Sequence, residues 1–314
     1  LFRDKAKKVV AACDNRGNFM VVAQTERPIL NNVVTKDIVA NYYLRGAGWQ
    51  GEKLLAGHAK TPQLVYHTDR TFMATYVMEG PQNKLGARQF VGIGGRGWQR
   101  VSLLDAGVNP FYRLGLTADA AGHVFAMYFR DGLPGLMSRR YDMARRIWQA
   151  PVQLSNGGIV HMEGAAIHSL PGGGALAVFF ELADDGIGMV MLENRYLNRA
   201  GWTGPQEIEE LPDPDIVQVT IRDNCSMDIN PLGDVAVGFD METDQGVETG
   251  AIKRYVGGAW LPLEIVDPDI DLFTLPRVAI DLRGNVAVTS KVEEEGLYGI
   301  TYTAVPPAFP DCDD

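Results

Sequence analysis

Three absences limit the classes to which this chain can belong. No run of about 18 apolar residues occurs, so no helical membrane span is expected. Basic residues are in the minority, with 29 lysines and arginines against 39 acidic residues, and a net charge of −10 argues against broad nucleic-acid binding. Helical periodicity appears nowhere at useful length, which excludes a mainly helical fold.

Cysteine is also scarce, with only Cys13, Cys225 and Cys312. Their spacings match no zinc-binding pattern. Because Cys312 lies in the C-terminal segment, one hypothesis is a disulfide between Cys13 and Cys312 in an exported protein. The alternative is three unrelated thiols, with Cys13 buried in a strand.

The chain does contain an internal repeat. "GAGWQGEKLL" at residues 46–55 returns, altered, as "GRGWQRVSLL" at residues 95–104. Glycines that open apolar strands recur at intervals of 51 to 59 residues, with Arg70 in the second copy. These glycines are Gly17, Gly122, Gly174, Gly233 and Gly284.

An Asp or Asn stands three residues before four of these glycines. The four residues are Asp14, Asp119, Asn230 and Asp281. This spacing predicts a tight hairpin turn, because the side-chain oxygen accepts bonds from turn amides and glycine tolerates a positive φ. We therefore expect these side chains to be structural rather than catalytic.

All five tryptophans form a second landmark, each five to eight residues after another aromatic residue. The pairs are Tyr43 and Trp49, Phe90 and Trp98, Tyr141 and Trp148, Tyr196 and Trp202, and Tyr255 and Trp260. The pattern predicts a strand that ends in an aromatic residue, a turn, and a next strand opened by tryptophan. The repeated decapeptide is thus the third turn and fourth strand of a unit of about 52 residues.

Four short β segments in each unit predict an all-β fold, a six-bladed β-propeller with four-stranded blades. We expect one domain over residues 1–314, with blades near 9–60, 61–110, 111–160, 161–217, 218–271 and 272–305. The last unit has no fourth segment before the proline-rich tail. A terminal segment, residues 1–8, is expected to complete the last blade, so that no long edge is exposed.

The repeats resemble the Asp-x-x-Gly-Asn and Gly-x-Gly-Trp arrays of exported bacterial proteins, which implies a propeller outside the cytoplasm. The Gly-x-Gly-Trp turn is also similar to that of six-bladed fucose lectins. Those lectins need an Arg, a Glu and an aromatic residue placed alike in each blade. Glu193 has no counterpart in the other third strands, which argues against that family.

Charge is predicted to be segregated between the two faces of such a propeller. The loops between second and third strands and the connections between blades contain more than half of the 39 acidic residues, among them Glu26, Glu79, Asp105 and Asp131. The opposite face receives arginines, among them Arg45, Arg146 and Arg199. An acidic mouth would attract Ca²⁺, an amine or a basic partner surface; the alternative is that solvated acidic loops only maintain solubility.

Two candidate sites lie on the acidic face. Asp267, Asp269 and Asp271 alternate in "VDPDIDLF" and could supply oxygen ligands to Ca²⁺, although the full EF-hand pattern is absent. Arg113, Glu163, Arg222 and Arg277 could form a ligand pocket near the inner strands.

The first functional hypothesis is a non-catalytic extracellular binding or adhesion module that presents its acidic loop face to a protein or glycan partner. The alternative is a carbohydrate-active hydrolase, sialidase-like, that uses the same face. No nucleic-acid partner, membrane span or certain cofactor is expected.

Overall fold

The computed structural model describes residues 4–28, 34–68, 71–92, 97–110, 112, 114–131, 135–182, 189–211, 225–242, 248–267, 273–294 and 297–305. Within these ranges the chain forms strands and turns and no helix that could cross a membrane. It divides into two compact units, residues 1–153 and residues 154–314, and each contains three sheets.

The first unit contains sheets 1, 2 and 3. Sheet 1 consists of β1 (Lys5–Cys13), β2 (Phe19–Pro28), β3 (Val34–Leu44) and β4 (Gly48–Ala56). Sheet 2 consists of β5 (Ala59–Thr68), β6 (Thr71–Met78), β7 (Lys84–Val91), β8 (Gly97–Trp98) and β9 (Ser102–Ala106). Sheet 3 consists of β10 (Gly115–Ala118), β11 (Val124–Phe129), β12 (Leu136–Asp142), β13 (Ile147–Trp148) and β14 (Val152–Gln153).

The second unit contains sheets 4, 5 and 6. Sheet 4 consists of β15 (Val160–Ser169), β16 (Ala175–Leu182), β17 (Met189–Leu197), β18 (Gly201–Trp202) and β19 (Gln206–Leu211). Sheet 5 consists of β20 (Ser226–Ile229), β21 (Val235–Glu242), β22 (Glu248–Val256), β23 (Ala259–Trp260) and β24 (Glu264–Asp267). Sheet 6 consists of β25 (Phe273–Ile280), β26 (Val286–Glu294) and β27 (Leu297–Val305).

Six successive antiparallel sheets, each built from consecutive strands, are the organisation of a six-bladed β-propeller, and the predicted fold class is confirmed. The fourth strand differs in detail from the expectation. In sheets 2 to 5 it is broken into two short pieces that both pair with the third strand, whereas β4 is continuous but bulged. The single domain over residues 1–314 stays a prediction.

The prediction for the N-terminal segment is wrong for the residues that the structure describes. Residues 5–8 pair with β2 in sheet 1, as the first half of β1, instead of completing the last blade. Lysine side chains suit an exposed strand edge. In β1, Lys7 pairs with Glu26 at 3.6 Å. The described part of sheet 6 has three strands; residues 306–314 lie outside the described residues.

The second strand of sheet 2, β6, is buried on both faces, because each face packs against a different sheet of the first unit. In β6, Phe72 and Tyr76 join the core with sheet 1, while Met73 and Val77 join the core with sheet 3. The alternation follows from the two-residue period of a strand. The core is therefore a series of apolar layers, each shared by two consecutive sheets of one unit.

The predicted Asp-x-x-Gly turns are confirmed by their hydrogen bonds. The amide of Gly17 donates to the carbonyl of Asp14 at 3.3 Å, and the amides of Arg16 and Asn18 donate to Asp14 Oδ1 at 2.9 Å each. Burial raises the pKa of Asp14, but the bonds from Asn18 and Arg16 outweigh it and the pKa is lowered overall. The carboxylate is thus a turn component, as expected.

Gly174 offers a test of this turn geometry in sheet 4. Its φ is +91°, and a Cβ at this position would lie 2.1 Å from the carbonyl oxygen of Tyr196. We expect Gly174→Ala to lower the free energy of unfolding in urea by more than about 2 kcal/mol. Gly172→Ala is the matched control, since a Cβ there meets nothing within 4 Å. Equal stability of the two variants would contradict the strain argument.

His67 provides a pH-dependent link between sheets 2 and 3. It is buried, its Nδ1 lies 3.2 Å from the carbonyl oxygen of Gly122, and its Nε2 lies 3.3 Å from Gln89 Nε2. With Nδ1–H donating to Gly122, the Nε2 lone pair accepts from Gln89, which requires a neutral ring. Burial lowers the pKa of His67 to about 4, although the Gly122 carbonyl opposes the shift.

Acid should therefore destabilise the first unit through His67. The unfolded chain binds this proton near pH 6.5 and the folded chain only near pH 4, so stability is full above pH 6.5 and declines toward pH 4. The loss attributable to His67 should reach about 3 kcal/mol. Urea titrations of wild type and His67→Gln from pH 7 to pH 4 measure it. An unchanged pH slope in the variant would disprove the assignment.

Candidate functional site

The aromatic residue and tryptophan of each predicted pair lie opposite each other across the third and fourth strands. Phe90 faces Trp98, for example, and the same register recurs in sheets 1, 3, 4 and 5. The ring centroids of the five pairs are 5.4 to 5.6 Å apart, in tilted or edge-to-face contact. Each pair forms a rigid aromatic corner at the end of its sheet.

The residue two positions before the aromatic residue has a polar side chain, and this side chain bonds to an earlier segment of the chain. Arg88 Nη1 donates to the carbonyl of Leu55 in sheet 1 at 3.0 Å, and Arg139 Nη1 donates to the carbonyl of Leu104 in sheet 2. In the second unit, Asn194 Nδ2 donates to the carbonyl of Leu154 at 2.9 Å. The Lys253 ammonium, in sheet 5, pairs with Glu209 of sheet 4. We call the three side chains that join two sheets, Arg88, Arg139 and Lys253, the inter-sheet clamps.

The first groove lies between sheets 1 and 2, beside the Arg88 clamp, with a volume of about 480 Å³. This size is typical of a small-molecule site. The sheet 1 wall consists of Ala40, Tyr42, Leu44, Gln50, Gly51, Lys53 and Leu54, and the sheet 2 wall of Arg88, Phe90, Val91, Gly92, Gly97 and Trp98. The groove thus combines three aromatic rings with an amide and two cations.

The second groove lies at the equivalent position between sheets 2 and 3 and measures about 810 Å³. Its lining residues are Met73, Ala87, Gln89, Val91, Gln99, Arg100, Ser102, Leu103, Arg139, Tyr141, Arg146, Ile147 and Trp148. Burial raises the pKa of Tyr141, and the charge of Arg146 lowers it in part. The second groove is more polar and more cationic than the first.

The equivalent position between sheets 4 and 5 is filled by side chains of the chain itself. Arg195 forms two bonds to Glu193, of 2.9 and 2.8 Å, and its guanidinium stacks 4.6 Å from the centre of the Tyr255 ring. The indole N–H of Trp260 donates to Glu193 Oε2 at 3.1 Å. The bonds to Glu193 raise the pKa of Arg195, and burial opposes them. An Arg, a Glu and aromatic rings therefore do meet here, in one inter-sheet position.

The structure does not test the predicted ligand pocket. Arg277 lies in β25 with an exposed side chain, and Glu163 lies in β15, where only the backbone is described. Arg113 and Arg222 lie outside the described residues. These four positions remain a prediction.

The Ca²⁺ hypothesis likewise remains a prediction. Only the backbone of Asp267 is described, in β24, and Asp269 and Asp271 lie outside the described residues. Elsewhere in the described ranges, no three His, Cys, Asp or Glu side chains gather in a way that could hold a metal ion. Cys13 is exposed at the end of β1, and its predicted partner Cys312 lies outside the described residues.

Several carboxylates of the predicted acidic face are paired with bases in the first unit. Glu79 lies 2.7 Å from Lys60, and Asp105 lies 3.9 Å from Arg130 and accepts a 2.6 Å bond from Tyr128. Glu26 pairs with Lys7. The local field of these loops is therefore weaker than the count of acidic residues indicates.

The grooves were missed in the sequence, although a signal for them exists. A polar residue occupies the position two before the aromatic residue in five units: Asn41, Arg88, Arg139, Asn194 and Lys253. A polar side chain at a repeated inward position of a strand requires a partner. That pattern could have indicated a contact between sheets, and with it the groove beside the contact.

No family model matches the chain, and no curated protein matches it. Among solved structures, it is similar to a polysaccharide lyase, a PL25 ulvan lyase bound to -[GlcA(1-4)Rha3S]-, with a TM-score of 0.61 and 10% identity over 94% of this chain and 79% of that one. The polysaccharide lyase Uly1 gives a TM-score of 0.55 and 11% identity over 92% and 80% of the two chains.

A protein of unknown function from Dyadobacter fermentans DSM 18053 gives a TM-score of 0.52 and 12% identity over 79% of each chain. At such low identity these likenesses show a shared fold. They agree with the six consecutive sheets in placing the chain among β-propellers.

Proposed function

We propose that this chain is a non-catalytic carbohydrate-binding module whose ligands occupy the inter-sheet grooves of residues 1–153. The observation that carries the proposal is the first groove, in which Tyr42, Phe90 and Trp98 share a cavity of about 480 Å³ with Gln50 and Lys53. A sugar ring has apolar C–H faces and a rim of hydroxyl groups. It therefore requires an aromatic surface and adjacent hydrogen-bonding groups, and the first groove supplies both.

The clamps make the aromatic walls rigid before a ligand binds. Arg88 is held by two carbonyls, of Leu55 at 3.0 Å and of Gln99 at 2.9 Å, so its position is fixed by the fold. Tyr42 is buried and lies 5.0 Å from Phe90, centre to centre. Binding to such a preformed surface costs little conformational entropy. Gln50 and Lys53 are exposed at the rim and can adapt to hydroxyl groups.

The chemistry of the groove supports binding rather than hydrolysis of a glycosidic bond. Glycoside hydrolysis usually needs a pair of carboxylates on either side of the bond that breaks. The described residues that line the first groove include neither a carboxylate nor a histidine. The sialidase-like hydrolase therefore stays an alternative that would use Arg113, Glu163, Arg222 and Arg277 instead. The fold shared with two polysaccharide lyases supports a saccharide ligand in either case.

The ligand would lie in the grooves instead of at the acidic loops, because Glu26, Glu79 and Asp105 already have basic partners there. We propose that the module acts outside the cytoplasm, in keeping with the exported arrays that its repeats resemble.

Trp98→Ala should weaken glycan binding by the first groove. The variant deletes the largest aromatic surface of the first groove, and we expect the affinity for glycans identified on an array to fall at least about tenfold. Trp49→Ala is the matched control, because Trp49 holds the same place in sheet 1 but does not line the first groove.

Isothermal titration measures both variants, and thermal unfolding checks that each is folded. Equal binding by wild type and Trp98→Ala, with both folded, would show that the first groove is not the site. Cleavage of an array glycan by the wild type would favour the hydrolase instead.

A further inference from the structure

The second groove differs from the first in its charge. Three guanidinium groups, those of Arg100, Arg139 and Arg146, line one cavity of about 810 Å³, and none of its described lining residues is acidic. Within the described ranges Arg100 and Arg146 have no ion-pair partner, whereas the neighbouring Arg145 lies 4.0 Å from Asp142. Three arginines without a carboxylate are unexpected in a chain of net charge −10. They leave a local positive field that an anion would neutralise.

The backbone holds Arg146 in an unusual conformation at the edge of this groove. Its φ is +55°, in the left-handed region that glycine favours. The corresponding turns of sheets 1 and 5 use glycines instead, with φ of +85° at Gly46 and +62° at Gly257. Glycine is therefore compatible with the backbone at position 146, and the arginine side chain is not needed to shape this turn.

The second groove also retains the features proposed for sugar binding. Tyr141 and Trp148 form an aromatic corner with ring centres 5.5 Å apart, and Gln89, Gln99 and Ser102 supply hydrogen-bonding groups. Arg139 is fixed by its bond to the Leu104 carbonyl, and Arg100 and Arg146 are exposed. A ring packed on the aromatic corner would therefore place a charged substituent near guanidinium groups.

We infer that the second groove binds an acidic sugar residue. Its carboxylate or sulfate ester is held by Arg100 and Arg146, and the positive charge of Arg139 strengthens the attraction. Planar guanidinium groups bind two oxygens of such an anion at once, which gives both strength and orientation. The inference rests on the proposed carbohydrate-binding function and narrows its substrate class to anionic glycans. Uronates and sulfated sugars share this chemistry, and the experiment separates them.

The test uses β-1,4-linked hexamers of glucose, of glucuronate and of glucose 6-sulfate, each titrated calorimetrically into the full chain at low and moderate salt. We expect at least one acidic hexamer to bind at least tenfold more tightly than the glucose hexamer, and added salt to reduce that difference. The stronger of the two acidic hexamers identifies carboxylate or sulfate as the preferred group.

Arg146→Gly is the decisive variant, because glycine accepts the φ of +55° and the fold should be as stable as before. We expect it to lose about tenfold in affinity for the acidic hexamer, and Arg100→Gln to act in the same direction. Arg199→Gly is the matched control: Arg199 has a φ of +79° in the equivalent turn of sheet 4 and does not line the second groove. It removes the same charge and the same strain, and it should bind like wild type.

The outcomes separate this inference from the proposed function. If Trp98→Ala loses the glucose hexamer while Arg146→Gly binds the acidic hexamers like wild type, the first groove stands and this inference is wrong. If acidic hexamers bind through Arg146 and the glucose hexamer does not bind, the inference holds and the first groove is not a site for neutral sugars. If Arg199→Gly weakens binding as much as Arg146→Gly, or if no hexamer binds to wild type, the inference is overturned.

Discussion

The inter-sheet clamp is the interaction on which the grooves depend. The outer strand of a sheet has an edge whose carbonyls need donors, and an unbonded buried carbonyl costs free energy. Leu55 and Leu104 illustrate the solution: each leucine side chain is buried in the core, and its carbonyl accepts a bond from an arginine of the next sheet. The outer strand is thereby fixed both by packing and by a hydrogen bond. An arginine is long enough to span the gap, and the gap beside it remains as a groove.

The same sheet geometry gives different sites, because a few side chains on the groove walls differ from one sheet to the next. On the wall that precedes the aromatic corner, Ala40 and Ala87 are small and leave room for a cavity. Glu193 occupies the same position in sheet 4 and, with Arg195, fills the equivalent space next to Trp260. The fold holds the aromatic corner constant. Glu193 and Arg195 together form an internally bonded cluster where the grooves have Ala40 and Tyr42, or Ala87 and Gln89. Each repeat therefore keeps the same backbone arrangement, while the side chains on its walls give each groove its own chemistry.

The sequence predicts the parts of this structure that depend on neighbouring residues. The turn at Asp14 and the facing of Tyr43 and Trp49 both follow from short-range rules, since the spacing determines the backbone conformation and the backbone brings the rings together. The placement of residues 5–8 could not be obtained in the same way, because either sheet edge offers similar hydrogen bonds and the choice depends on long-range packing. The grooves were also beyond local rules: Arg88 and Leu55 are far apart in the chain and meet only after two sheets have packed.

The net charge of this chain is a poor guide to the local charge of its candidate binding sites. Acidic residues outnumber basic ones, and that excess suggested a cation-binding face. Yet Glu79 and Asp105 lie beside Lys60 and Arg130, so part of the negative charge is neutralised where it arises. Arginines that satisfy backbone carbonyls retain their full positive charge, because a carbonyl is a dipole and not a counter-ion. A fold that uses arginine to join sheets therefore concentrates uncompensated positive charge along its grooves, whatever the sign of the total.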